Sequence, residues 1–237
     1  MSVFHNRFRK GGRDVSKKQS RGKCTYCERE LAKGGMLRHL ATCPARRRVI
    51  AACDIQPGNK ESLYHLRVQD AWQDDFWLDL EVCGSATLQE LDDYLRAIWL
   101  ECCGHLSQCS FGGREISKRR RVGQVLEPGV ELTHIYDFGT SSETLLRTIA
   151  LREGRPSTAH PMALMARNNL PEAGCIKCGR PASRFCVECL YEEEAPGTLC
   201  DEHAQEHPHD DYGEPVPLVN SPRLGMCGYD GPAEPPY

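Results

Sequence analysis

Residues 87–104 read Thr-Leu-Gln-Glu-Leu-Asp-Asp-Tyr-Leu-Arg-Ala-Ile-Trp-Leu-Glu-Cys-Cys-Gly. Thr87 and Glu90 form a capping box, in which each side chain satisfies the other residue's backbone N–H. Leu88, Leu91, Leu95, Ile98 and Cys102 then recur at helical spacing until Gly104 stops the run. The pattern predicts a helix with one apolar stripe facing a core, Cys102 acting there as a small hydrophobe. Upstream, Leu63–Val68 and Phe76–Val82 are rich in β-forming residues, and Gln73-Asp74-Asp75 supplies a turn between them. Downstream, 105–111, Glu131–Asp137 and Glu143–Ile149 are further strand candidates. The order ββαβββ over residues 60–151 predicts an α+β, β-grasp-like central domain with one helix packed across a sheet.

With 237 residues, 40% hydrophobic and 27% charged, the chain has enough apolar content for a real core. No apolar run approaches the roughly 18 residues that span a bilayer, and the basic N-terminus lacks the apolar stretch of a secretory signal. A cytoplasmic location and no membrane partner are therefore expected, and in that reducing setting fourteen cysteines point to metal rather than disulfides. The net charge of −3 averages two unlike parts. Residues 1–48 hold 14 Lys/Arg against 3 Asp/Glu, whereas residues 170–237 hold 4 against 13.

The flanks divide into small units. Residues 1–22 have too little apolar content to offset the entropy of ordering and are read as a disordered basic arm. Residues 23–48 hold Cys24-x2-Cys27-x11-His39-x3-Cys43, two thiols on a knuckle and a His/Cys pair one helical turn apart, the pattern of a tetrahedral zinc finger. Residues 152–174, rich in Pro, Arg, Asn and Gly, are read as a connector, and residues 211–237 as a proline-rich tail with little regular structure. Between them, 175–210 contains Cys175, Cys178, Cys186, Cys189, Cys200, His203, His207 and His209, enough ligands for two closed sites. Twelve ligands in groups of four predict three structural zinc ions.

The eight-ligand segment resembles B-box and related cross-brace fingers. That resemblance implies one zinc on Cys175, Cys178, Cys200 and His203 and another on Cys186, Cys189, His207 and His209. The first finger has the ligand spacing of ubiquitin-binding fingers of DNA-repair ligases, although Ala41 stands where those carry an acidic residue. In the central region, Leu91–Ser107 and Ile135-Tyr136-Asp137-Phe138-Gly139 resemble the plasmid pRiA4b ORF-3-like family of bacterial, mobile-element-associated passenger proteins. Ala166–Pro171 and Asn220–Tyr229 resemble its zinc-bearing branch. The resemblance covers roughly residues 60–230. It implies a fold but no biochemical activity, and the stretch after Gly139 lacks the extra acidic residue and the histidine found in many members.

Two classes of function follow. An enzyme would use Cys102 or Cys103 with His105 and Asp137 as nucleophile, base and orienter, but no nucleophile elbow, phosphate loop or open metal site accompanies them. The favoured expectation is a non-enzymatic zinc-binding adaptor. Its basic arm and finger would contact nucleic acid without sequence preference, through Arg7, Arg9, Lys10, Arg13, Lys17, Lys18, Arg46, Arg47 and Arg48. The acidic C-terminal finger would contact protein. A purely protein-binding module is the alternative.

Overall fold

The computed structural model describes residues 19–209 and 211–233. Its centre is a nine-stranded, wholly antiparallel sheet. In chain order the strands are β1 (Arg21–Cys24), β2 (Glu30–Ala32), β3 (Glu61–Asp70), β4 (Trp77–Cys83), β5 (Ser107–Phe111), β6 (Arg114–Ile116), β7 (Glu131–Tyr136), β8 (Ser142–Gly154) and β9 (Met162–Asn168). Their spatial order is β2-β1-β9-β4-β3-β8-β7-β5-β6. The β3/β4 hairpin, with Leu66 opposite Leu80, therefore sits inside the sheet.

Helix α3 (Leu88–Leu95) starts with the expected capping box: Thr87 N–H donates to Glu90 Oε2 at 2.7 Å and Glu90 N–H to Thr87 Oγ1 at 3.1 Å. Leu88, Leu91, Leu95, Ile98 and Trp99 are buried in one core with Leu63, Leu66, Val68, Leu78, Leu80 and Val82 of β3 and β4. The helical stripe is thus core, as the spacing predicts. The helix does not run on to Gly104. Its last turn, Arg96–Leu100, widens into a π-helix closed by Glu101 N–H to Arg96 C=O at 2.8 Å, and an Arg96–Glu101 ion pair holds the exit.

The other face of the sheet explains why β3 and β4 carry charges yet are buried almost throughout. Asp79 accepts from His65 at 2.8 Å and from Arg67 at 2.8 and 3.0 Å, and Glu81 accepts from Arg152 at 2.7 and 3.0 Å. These groups are covered by helices α1 (Lys33–Thr42) and α2 (Pro44–Asp54): Lys33 C=O accepts from Arg67, and Arg46 reaches Glu81. Buried carboxylates are tolerated here because each is multiply hydrogen-bonded to a cation.

Two expectations about boundaries change. The segment read as a connector contains the end of β8 and all of β9, which lies between β1 and β4. The first finger is therefore not a bead on a string, since its hairpin continues the main sheet through β1 and β9. At that seam Gly22 is required, because a Cβ there would collide with the Arg167 carbonyl and the Trp77 ring. The expected arm consequently overlaps the fold: β1 begins at Arg21, and Trp77 Nε1 donates to Ser20 Oγ at 3.0 Å. A second, three-stranded sheet joins β10 (Arg184–Phe185), β11 (Thr198–Leu199) and β12 (Val216–Pro217), with helices α4 (Val187–Tyr191) and α5 (Asp201–Gln205) beside it. Among the described residues no helix is long and apolar enough to cross a membrane.

Candidate metal centres

Tetrahedral zinc with bonds of about 2.3 Å to sulfur and 2.0–2.1 Å to nitrogen requires ligand edges of about 3.8 Å for S···S, 3.6 Å for S···N and 3.3 Å for N···N. All fourteen cysteines are free of disulfides, and the described residues contain four Cys/His clusters that could hold a metal ion, each with its ligand atoms within 4.8 Å of one another.

The first joins Cys24, Cys27, His39 and Cys43. Cys24 ends β1, and the knuckle turns through Glu28, which has φ +58° and donates its N–H to Cys24 C=O at 2.9 Å. His39 comes from the last turn of α1 and Cys43 from its C-terminal cap. Cys27 Sγ and His39 Nε2 are 3.3 Å apart. Met36, Leu40, Trp77, Met165 and Ala166 close round Cys24 and Cys43, so the metal pocket shares its core with the sheet.

The second joins Cys175, Cys178, Cys200 and His203. Its knuckle repeats the first, with Gly179 at φ +72° donating to Cys175 C=O at 2.8 Å. Cys200 caps α5 and places His203 on its first turn. Cys178 and Cys200 sulfurs are 3.9 Å apart, and His203 Nδ1 lies 3.3 Å from Cys200 and 3.6 Å from Cys175. Burial opposes ionisation of Cys175, yet backbone N–H groups of Cys200, Lys177 and Cys178 bring its thiol down to about 6. A thiol so disposed is ready to lose its proton to a cation.

The third joins Cys186, Cys189, His207 and His209. Cys186 caps α4 and Cys189 lies within it. Cys189 Sγ is 3.2 Å from His207 Nε2 and 3.3 Å from His209 Nδ1, and the two ring nitrogens are 3.2 Å apart. The tight His207-Pro208-His209 step therefore brings both imidazoles to one point. Glu193 takes the far nitrogen of His209 at 3.2 Å, fixing which nitrogen faces the sulfurs. Burial first, then the neighbouring Cys186 thiol, pushes Cys189 up to about 12, a repulsion that a divalent cation would remove. All twelve ligands read from the sequence thus assemble, in the cross-brace pairing that the B-box resemblance implies.

The fourth cluster, Cys102, Cys103, His105 and Cys227, was not anticipated. Cys102 lies half-buried at the edge of the core, as its place in the apolar stripe suggests, but its thiol turns toward Cys103. The ligand that completes the set stands 122 residues beyond His105, in the proline-rich tail.

The predicted phosphate contacts fare unevenly. Arg7, Arg9, Lys10, Arg13, Lys17 and Lys18 lie outside the described residues. Arg47 and Arg48 are exposed, but Arg46 is turned inward, its side chain 13% exposed, on Glu81 and the Leu40 carbonyl. A buried carboxylate on the sheet outcompetes solvent for this guanidinium, so Arg46 leaves the phosphate set. Lys23, Arg29 and Arg38, not singled out in the sequence, are exposed on the finger.

No protein-family model matches the chain, and no curated protein matches it. Among solved structures it is similar to a protein of unknown function, MM3350, from Methanosarcina mazei Go1, at 17% identity and a TM-score of 0.38. The match covers 43% of this chain and 66% of that one, just under two thirds of its length.

Proposed function

We propose that the protein is a non-enzymatic adaptor whose small modules are built on structural zinc, with its basic N-terminal end directed to nucleic acid and its acidic C-terminal module to protein. The observation that carries this reading is the division of charge, +11 over residues 1–48 against −9 over residues 170–237. A phosphate backbone attracts the first and repels the second. Exposed Lys23, Arg29, Arg38 and Arg48 extend the basic arm onto the folded finger. Zinc is the cation of choice for the three predicted sites because each offers four soft or borderline donors and leaves no position for water, a structural rather than catalytic arrangement. On the protein-binding side, Phe76, Leu170, Ile176, Phe185, Leu218 and Met226 line an apolar cavity of about 420 Å³ beside the acidic module.

The resemblance to pRiA4b ORF-3-like proteins, and the β-grasp-like reading of residues 60–151, rest on the segments 91–107 and 135–139 and on the packing of α3 across the sheet. Labelled duplex DNA and single-stranded RNA, titrated with zinc-loaded full chain at 50 and 200 mM salt, test the adaptor reading. Binding that weakens steeply with salt and shows no sequence preference is expected. No salt-sensitive binding to either polymer would overturn the nucleic-acid half and leave a purely protein-binding module.

A further inference from the structure

We infer that Cys102, Cys103, His105 and Cys227 bind a fourth zinc ion, which clasps the C-terminal segment 220–229 onto the central domain. The donor set repeats the three-sulfur, one-nitrogen composition of the first two clusters. Cys103 Sγ lies 3.6 Å from Cys102 Sγ and 3.7 Å from Cys227 Sγ, while His105 Nε2 lies 3.0 Å from Cys103 and 3.3 Å from Cys227. The S···S separations match the edges of a zinc tetrahedron and the S···N separations fall somewhat short of them, as in the third cluster, in ligands drawn from two segments that no local turn brings together.

The surroundings are built for such a site. The π-helical turn ends at Leu100, with Glu101 as its cap, and Gly104 at φ +77° turns the chain so that three ligands within four residues converge. The Tyr136 hydroxyl accepts from the N–H groups of Cys102 and His105, each at 3.3 Å, and donates to Glu101 at 3.0 Å, locking the ligand loop. Three thiolates and Zn2+ carry a net −1, and a buried guanidinium shared with Asp137 donates into the cluster. Arg223 has no exposed surface and donates to Cys102 Sγ at 3.4 Å, while its other bonds go to Asp137, Thr140 C=O and Ser142 Oγ at 2.7–2.9 Å. Cys227 itself sits at φ +51°, a left-handed conformation unfavourable for a residue with a Cβ, which metal coordination would offset.

Ligation adds to contacts already made through Arg223 and through neighbours such as Ser221 Oγ to Trp99 C=O at 2.7 Å. Binding replaces thiol protons by the metal and changes no oxidation state. The site is independent of any nucleic-acid partner.

Zinc counting by native mass spectrometry on the full chain tests this. Wild type is expected to carry one equivalent more than either Cys227→Ser or His105→Ala, and both variants should show faster amide exchange over 220–229 while the exchange of β3 and β8 is unchanged. Two variants from opposite sides of the clasp guard against misfolding of one. Equal zinc content in wild type and both variants would overturn the proposal, as would a wild-type mass 2 Da low with Cys103 and Cys227 recovered as a disulfide.

Discussion

Arg46 Nη2 stands 3.2 Å from Glu81 Oε2, joining the helix that follows the first zinc finger to the buried polar face of the central sheet. The contact makes a residue of an apparently solvated Arg-Arg-Arg run part of the fold. Replacing Arg46 by Ala should cost about 1–3 kcal/mol in urea unfolding, because Glu81 keeps Arg152 as a partner. Replacing Arg48, which is exposed, should change stability by less than about 0.5 kcal/mol. Equal effects of the two would contradict the inward placement of Arg46.

A second buried carboxylate organises the opposite face. Asp92, with no exposed surface, accepts from His134 Nε2 at 2.6 Å and from Lys118 and Ser107 at 2.9 Å. Burial opposes its ionisation, but the bond and charge of His134, with Lys118 and Ser107, outweigh it and hold the carboxyl well below the usual carboxylate range. A depressed folded-state pKa stabilises above the unfolded value near 3.9, and that contribution is lost as pH falls. Asp92→Asn should therefore cost about 3–5 kcal/mol at pH 7, and the gap to wild type should narrow below pH 4. A gap constant with pH would show that Asp92 acts by shape alone.

What could be read from the chain follows the range of the interactions. Cys24, Cys27, His39 and Cys43 announce themselves because zinc geometry is met by turns and single helical turns, and Thr87 and Glu90 because a capping box closes within four residues. Cys227 gave no such signal, since its partners lie more than 120 residues away and its own short 3-10 turn carries no second ligand at metal-binding spacing. Strand β9 was hidden for a related reason. Its Met162–Asn168 run is flanked by Pro161 and Pro171 and becomes a strand because β1 and β4 pair with it on both sides. The cations on Glu81 were not legible locally, because Arg46 and Arg152 come from elsewhere in the chain, whereas those on Asp79 stand across the hairpin on β3.

Asp70 is the buried carboxylate whose balance goes the other way. Burial raises its carboxyl to about 6, only partly opposed by the N–H groups of Gln73 and Trp72, while Glu143 and Asp74 push in the same direction as burial. The folded state then holds the proton more tightly than the unfolded chain, so this group costs stability as pH rises from about 4 to 6. Asp70→Asn keeps an acceptor for both N–H groups and removes the charge. It should stabilise by about 1–3 kcal/mol above pH 7, with the gain shrinking toward pH 5. A destabilised variant at pH 8 would show that the carboxylate is needed as an anion.

Chelation should reach into the sheet. Because Cys24 ends β1, and Trp77, Met165 and Ala166 share its core, removing metal from the first cluster should expose the β1/β9 seam. Amide exchange after chelator treatment should therefore quicken across residues 21–24 and 164–168 while the β3/β8 pair stays protected by the main core. Unchanged protection of β9 would mean that the finger folds apart from the sheet after all.

The salt dependence of nucleic-acid binding should divide between the arm and the folded finger. Each phosphate neutralised on duplex DNA contributes about 0.9 to the log–log slope of affinity against salt. Because Arg21 and Ser20 belong to the fold, the truncation that tests the arm must stop at residue 18, and it should flatten the slope without altering thermal stability. Charge removal at Lys23, Arg29, Arg38 and Arg48 should flatten it further, since all four are exposed on the finger or the helix that follows it. Glutamine in place of Arg46 should leave it unchanged wherever the protein remains folded, because that guanidinium is already committed to Glu81. A slope that responds to Arg46 but not to Arg48 would place the phosphate path on a different face of the molecule.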